Sequence, residues 1–205
     1  MRLTQRAARR LHLAALGLDR RPRGRARKAD VLEAVRRMAV LQIDTISVVA
    51  RSPYLVLFSR LGHYAPEWLD ELLAEGALFE YWAHEASLLP IEDYALMRPR
   101  MLEPEALGWK YRGDWVRAHR HVLRRVLERL RTHGEVRSTD FERDGDREGW
   151  WDWKPEKRAL EALFTSGVVM VTRRQSFQRI YDLRERVHPA WRMISCRRRT
   201  TSRPA

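Results

Sequence analysis

The chain has 205 residues, 44% of them hydrophobic, one cysteine and a formal net charge of +13. That length allows one domain or two small ones, and a lone Cys196 excludes an internal disulfide or a multi-cysteine zinc site and fits a reducing cytoplasm. The charge points to an anionic partner, nucleic acid being the commonest, although a solvated basic surface would read the same way.

Thr4 caps a first helix running to about residue 16, with Ala8, Leu11, Ala15 and Leu18 on one side and Gly17 ending it. The apolar run 11–18 follows Arg9-Arg10, but it holds His12 and leads to no cleavage site, so it reads as helix and not as a signal peptide. No apolar stretch reaches the ~20 residues that cross a bilayer. Residues 20–28 form a basic loop, either a solvated linker or an arm contacting phosphates. A second helix spans residues 30–38, with Val31, Leu32, Val35 and Met38 inward.

Residues 41–45 read as a strand. Leu41 and Ile43 then face a core, while Gln42 and Asp44 project together to the other side. An amide can position a water, and a carboxylate can take its proton. Asp44 is equally a turn residue or a helix cap by type. Helices follow over residues 48–61, with Pro53 near a start or kink, and from Pro66 to about residue 75. Residues 78–82 read as a strand and 91–101 as a helix, with His84 between them as a DNA contact or an ordinary hydrogen-bonding residue. We expect an elaborated winged-helix domain over residues 1–103 and a linker over 104–113.

The second half is clearer. Residues 115–132 make an amphipathic helix with Val116, Val122, Leu123, Val126, Leu127 and Leu130 as its stripe, and Gly134 ends it. Ser138 caps a short helix, residues 143–149 form a charged turn, and Pro155 opens a helix that reaches residue 164. Strands 168–172 and 177–181 flank a turn at 173–176. Helix, short helix, helix and two-stranded wing is the order of a winged helix-turn-helix, here over residues 114–191. In such a domain Lys154, Lys157 and Arg158 lie on the groove-entering helix and Arg173 and Arg174 at the wing tip. Many winged helices contact protein instead. The fold class is therefore mainly α with small β wings, α+β, as tandem winged helix-turn-helix domains.

Three blocks carry a family resemblance: residues 41–62, beginning Leu41-Gln42-Ile43-Asp44; residues 80–90, Glu80-Tyr81-Trp82-Ala83-His84-Glu85-Ala86-Ser87-Leu88-Leu89-Pro90; and residues 153–187, from Trp153-Lys154-Pro155 to Arg186-Val187. Together and in this order they resemble the AlkZ/YcaQ family of DNA glycosylases over roughly residues 2–191. Gln42-Ile43-Asp44 is similar to the family's Gln-apolar-Asp form, which looks like the YcaQ branch. Many family members carry His where this chain has Pro53, so any role of that His is absent here.

The resemblance implies a repair enzyme that hydrolyses the N-glycosidic bond of N7-alkylated purines in double-stranded DNA, crosslinked ones included. Gln42 and Asp44 would be catalytic, with no metal or organic cofactor. Arg51, Arg60, Tyr81, Trp82, His84, Lys154, Lys157, Arg158, Arg173 and Arg174 are the expected DNA contacts. No lysine lies near the motif to serve as an amine nucleophile, so hydrolysis without lyase chemistry is expected. Neither a protein partner nor a membrane is implied, and the place of action is the cytoplasm, nucleoid-associated when DNA is bound. The alternatives are a winged-helix regulator without catalysis and an inactive remnant. Residues 192–205 carry five Arg and no acid, and read as a disordered tail. Family members are about twice this length, so we expect a truncated N-terminal half whose tail arose by a frameshift or truncation.

Overall fold

The computed structural model describes residues 3–19, 22, 24–44, 46–141 and 153–189. The expected charged turn at 143–149 and the basic tail lie outside them.

The first half runs α1 (Gln5–Ala15), α2 (Lys28–Met38), β1 (Leu41–Gln42), α3 (Ser52–Leu61), α4 (Glu67–Ala74), β2 (Leu78–Trp82), β3 (Ala86–Pro90) and α5 (Tyr94–Leu102). Its sheet is antiparallel in the order β1-β3-β2. The Thr4 hydroxyl accepts from the Ala7 N–H at 3.2 Å, as a cap should. Yet α1 buries no residue, and Leu11 is 57% exposed, so its apolar side lies outside the core. In α2, Val31 and Val35 are fully buried. The helix starts at Lys28, two residues early, because the Asp30 carboxylate accepts the Arg27 backbone N–H at 2.8 Å and satisfies that end. Helix α3 begins only at Ser52. Pro53 suits a first turn and would break an interior, which leaves Val48 and Val49 in an exposed bend.

The second half runs α6 (Gly113–Ala118), α7 (Arg120–His133), a 3-10 turn (Ser138–Asp140), α8 (Pro155–Thr165), β4 (Val169–Gln175), β5 (Gln178–Leu183) and α9 (Arg184–Val187). The single helix expected over 115–132 is two. His119 leaves helical backbone at φ −113° and ψ 32°, with its ring stacked on Trp115 at 4.4 Å. The expected linker holds a 3-10 helix, Pro104–Lys110, whose Lys110 carbonyl accepts from Thr165 of α8 at 3.4 Å.

The two halves repeat one plan. In the first, α2, β1, α3 and α4 precede the β2–β3 hairpin, and β1 pairs with β3. In the second, α7, Val136, the 3-10 turn and α8 precede the β4–β5 hairpin, and Val136 bridges to Tyr181 of β5. The fold is mainly α with small antiparallel sheets.

One continuous apolar cluster joins the halves. Phe164 of α8 is its hinge point, with ring centroids 5.7 Å from Tyr81, 5.8 Å from Trp82 and 6.1 Å from Tyr181. Phe164→Ala is expected to cost about 3–5 kcal/mol, read as a shifted urea midpoint. Unfolding at the wild-type midpoint would mean the halves do not depend on this junction.

Candidate active-site face and nucleic-acid surface

Register sets the motif. Leu41 lies opposite Leu88, Gln42 opposite Ser87, and the Ile43 N–H donates to the Ala86 carbonyl at 2.7 Å. Leu41 is buried, Gln42 exposed, Ile43 and Asp44 half-buried. The strand stops at Gln42, not at residue 45, because Asp44 uses its own side chain: Oδ1 accepts the Ile46 N–H at 2.9 Å and closes a turn in place of the ladder. Asp44 is thus a turn residue whose other carboxylate oxygen is left for another role, and no ion pair to it occurs among the described residues.

Behind Ile43 sits the tip of the second hairpin. Its turn is Ser176-Phe177, both at positive φ (48° and 66°), the two-residue geometry that matches strand twist. The Arg51 guanidinium lies 3.9 Å from the Phe177 ring centroid and that of Arg174 lies 4.5 Å from it. Ile43, Arg51, Tyr54, Asp70 and Phe177 border a small cavity of about 210 Å³. Within it, Tyr54 donates to Asp70, and burial, then the Asp70 charge, pushes the phenol up to about 12. Gln42 and Asp44 do not line that cavity.

The hairpin corrects the expected wing. The tip is Ser176-Phe177, so Arg173 and Arg174 lie within β4. Arg173 pairs with Glu135. Arg174 and Arg179 face each other across the strands, which would be unfavourable alone. Glu80 of β2 lies between them, fully buried, and accepts from Arg174 at 2.8 and 2.7 Å and from Arg179 at 2.6 Å. Arg179 also grips Glu161 at 2.9 and 2.7 Å, and Tyr181 donates to the same carboxylate at 3.0 Å. This network ties the halves together.

Other expected contacts are placed differently. Tyr81 is 1% exposed, and its hydroxyl donates to the Thr165 carbonyl at 2.6 Å, so it is a core residue. Arg60 donates to the Leu16 and Val56 carbonyls, each at 2.9 Å, and holds the chain after α1 against α3. Lys154 donates to the Phe141 carbonyl at 2.7 Å. Seven of the eleven residues of α8 are buried, so it does not stand out as a groove-entering helix. His84 is exposed at the β2–β3 turn, where its carbonyl accepts from Lys110 at 2.8 Å. Trp82, Arg158 and Lys157 border open clefts, Lys157 lying 4.0 Å from the Trp153 ring centroid. Sequence reasoning missed Phe177, Arg179 and the tryptophans at 109 and 115; the eight Trp of the chain were the available signal.

No group of three or more His, Cys, Asp or Glu able to share a metal ion occurs among the described residues. None of the described helices is long and apolar enough to cross a membrane.

A largely helical chain whose two halves repeat a helix–helix–hairpin plan, with a polar motif at a sheet edge, has a solved counterpart. The structure titled Streptomyces sahachiroi DNA glycosylase AlkZ superposes with a TM-score of 0.58 at 17% sequence identity, over 94% of this chain and 53% of that one. That likeness is one of fold, and this chain spans about half of that protein's length.

The family follows from the sequence itself. The profile of the family described as DNA glycosylase AlkZ-like matches residues 35–205, so the chain belongs to that family. The match contains Gln42-Ile43-Asp44 and continues to residue 205, past the point where the resemblance was expected to stop.

Proposed function

We propose that this chain carries the base-excising chemistry of a DNA repair glycosylase acting in the cytoplasm on N7-alkylated purines in duplex DNA, interstrand crosslinks included. The observation that carries the reading is the anchored motif. Ile43 is bonded to β3 and Asp44 Oδ1 is held by the Ile46 N–H, while Gln42 is exposed and Asp44 is half-buried beside it. Such preorganisation suits a group that must act on a positioned water.

Alkylation at N7 gives the purine a positive charge. When the N9–C1′ bond breaks, its electron pair neutralises the departing base, so no strong acid is needed. Positive charge develops on the sugar, and the Asp44 carboxylate stabilises it. A water oxygen bonds to C1′ and its proton passes to Asp44. Gln42 orients that water or hydrogen-bonds the sugar-phosphate. A motif at a sheet edge, with Gln42 exposed, also suits lesions too bulky to be flipped into a tight pocket.

The regulator reading needs α8 in a major groove, which its burial disfavours. DNA backbone contacts fall instead to Arg158, Lys157 and the basic segments of the chain. The test is release of free base from duplex DNA carrying N7-methylguanine, with sequence-tolerant binding of the duplex. Sequence-specific binding of undamaged duplex without release would replace this proposal with the regulator.

A further inference from the structure

A cleft of about 420 Å³ lies where the 3-10 helix, α6 and α8 meet the end of β2, and four tryptophans line it: Trp82, Trp109, Trp115 and Trp153. Half of the chain's eight tryptophans therefore converge on one hollow. Nothing in the excision chemistry uses them. The walls differ in firmness. Trp82 is fixed by its Nε1–H, which donates to Thr165 Oγ1 at 3.1 Å, and by edge contact with Phe164. Trp115 is stacked on His119. Trp109, in contrast, is 75% exposed, a large aromatic face left in solvent.

The polar groups around the rings are mostly cations. Lys110 lies 5.1 Å from the Trp82 ring centroid and 5.4 Å from that of Trp109. Arg112 and Arg158 border the cleft and make no ion pair among the described residues. The one acid on the lining, Glu161, is neutralised by Arg179. Aromatic faces between cations fit a flat π-system carrying a negative charge. That is the chemistry of an unpaired nucleotide, with its base stacked on indole and its phosphate on guanidinium. A paired base presents no free face and would not enter.

The cleft is set apart from the motif. Trp82 pairs with Ala86, and Ala86 accepts from Ile43, so the three lie in one row across the sheet, roughly 10 Å from end to end at two strand spacings. Side chains alternate faces along a strand, so Gln42 lies on the opposite face from Trp82. The reacting sugar and a base held in the cleft are therefore different nucleotides.

We infer that the tryptophan cleft is a second nucleic-acid site, which binds an unpaired nucleotide of single-stranded DNA by stacking while the motif face engages the lesion. The inference rests on reading the chain as a DNA-handling protein and not on the chemistry of Asp44.

The probe is a short oligothymidylate, titrated against the full chain with tryptophan fluorescence and competition as readouts. Binding should quench the fluorescence. Trp109→Ala, an exposed position, should weaken it roughly tenfold, and Arg112→Gln, which also borders the cleft, should weaken it and flatten its salt dependence. Affinity for perfect duplex should change little in either variant, and Asp44→Asn should bind oligothymidylate as the wild type does. Unchanged oligothymidylate binding in both cleft variants, or equal loss of duplex binding, would overturn the site. Base release without oligothymidylate binding would remove the cleft and keep the glycosylase. Oligothymidylate binding without base release would keep the cleft and remove the glycosylase.

Discussion

Glu80→Ala is expected to lower the stability of the whole chain by about 3–5 kcal/mol, because it strands two buried guanidinium groups at once. Glu80 has no exposed side-chain surface, while those of Arg174 and Arg179 are 14% and 11% exposed. Its partners come from 94 and 99 residues away, so the loss should loosen the junction between the halves as well as a local contact. Chemical denaturation is the readout, and unchanged stability would show that the halves are held by apolar packing alone. The pH dependence has a definite sign. Burial raises the Glu80 carboxyl, but Arg179 and Arg174 outweigh it and hold the group below its ordinary value. A carboxyl depressed in the folded state contributes stability that is present above its unfolded pKa, about 4.3, and lost as pH falls through the folded value. Wild-type stability should therefore fall below about pH 4, and a Glu80→Gln variant should lack that component of the fall.

The second large effect is on chemistry. Asp44→Asn should cut the rate of base release by at least ~10²-fold, the scale of a lost general base. The amide keeps an oxygen for the Ile46 N–H, so the turn should survive and duplex affinity should stay close to wild type. Gln42→Ala should slow release less, since it removes positioning and leaves the proton acceptor. Equal losses of duplex binding and release in Asp44→Asn would instead assign Asp44 a structural role.

How much of this was legible beforehand depends on how local the cause is. Thr4, Pro53, Pro155 and Gly134 mark element ends through backbone chemistry that travels with the residue, and each end falls at or beside them. The β1 alternation of Leu41, Gln42 and Ile43 was equally readable. The tip of the second hairpin was not. Turns at positive φ usually announce themselves with Gly or Asn, and Ser176-Phe177 has neither. Nor was the break at His119, which interrupts an unbroken apolar stripe. Arg174 was expected at a wing tip and Tyr81 at a DNA surface by family resemblance; their partners, Glu80 and Thr165, lie far away in the chain. Glu80 itself sits at a strand position where a carboxylate ordinarily marks the solvent side. The tryptophan cleft was hidden for a similar reason, since its walls come from β2, the supposed linker, α6 and the start of α8.

The central claim is that Asp44, anchored at the end of β1, excises an alkylated base. The measurement that meets it most directly is single-turnover release of 7-methylguanine from methylated duplex by this 205-residue chain, beside its Asp44→Asn variant at matched duplex occupancy. Release by the first and its near-complete loss in the second is the predicted result. Equal release by both, or none by either with the duplex fully bound, would contradict it.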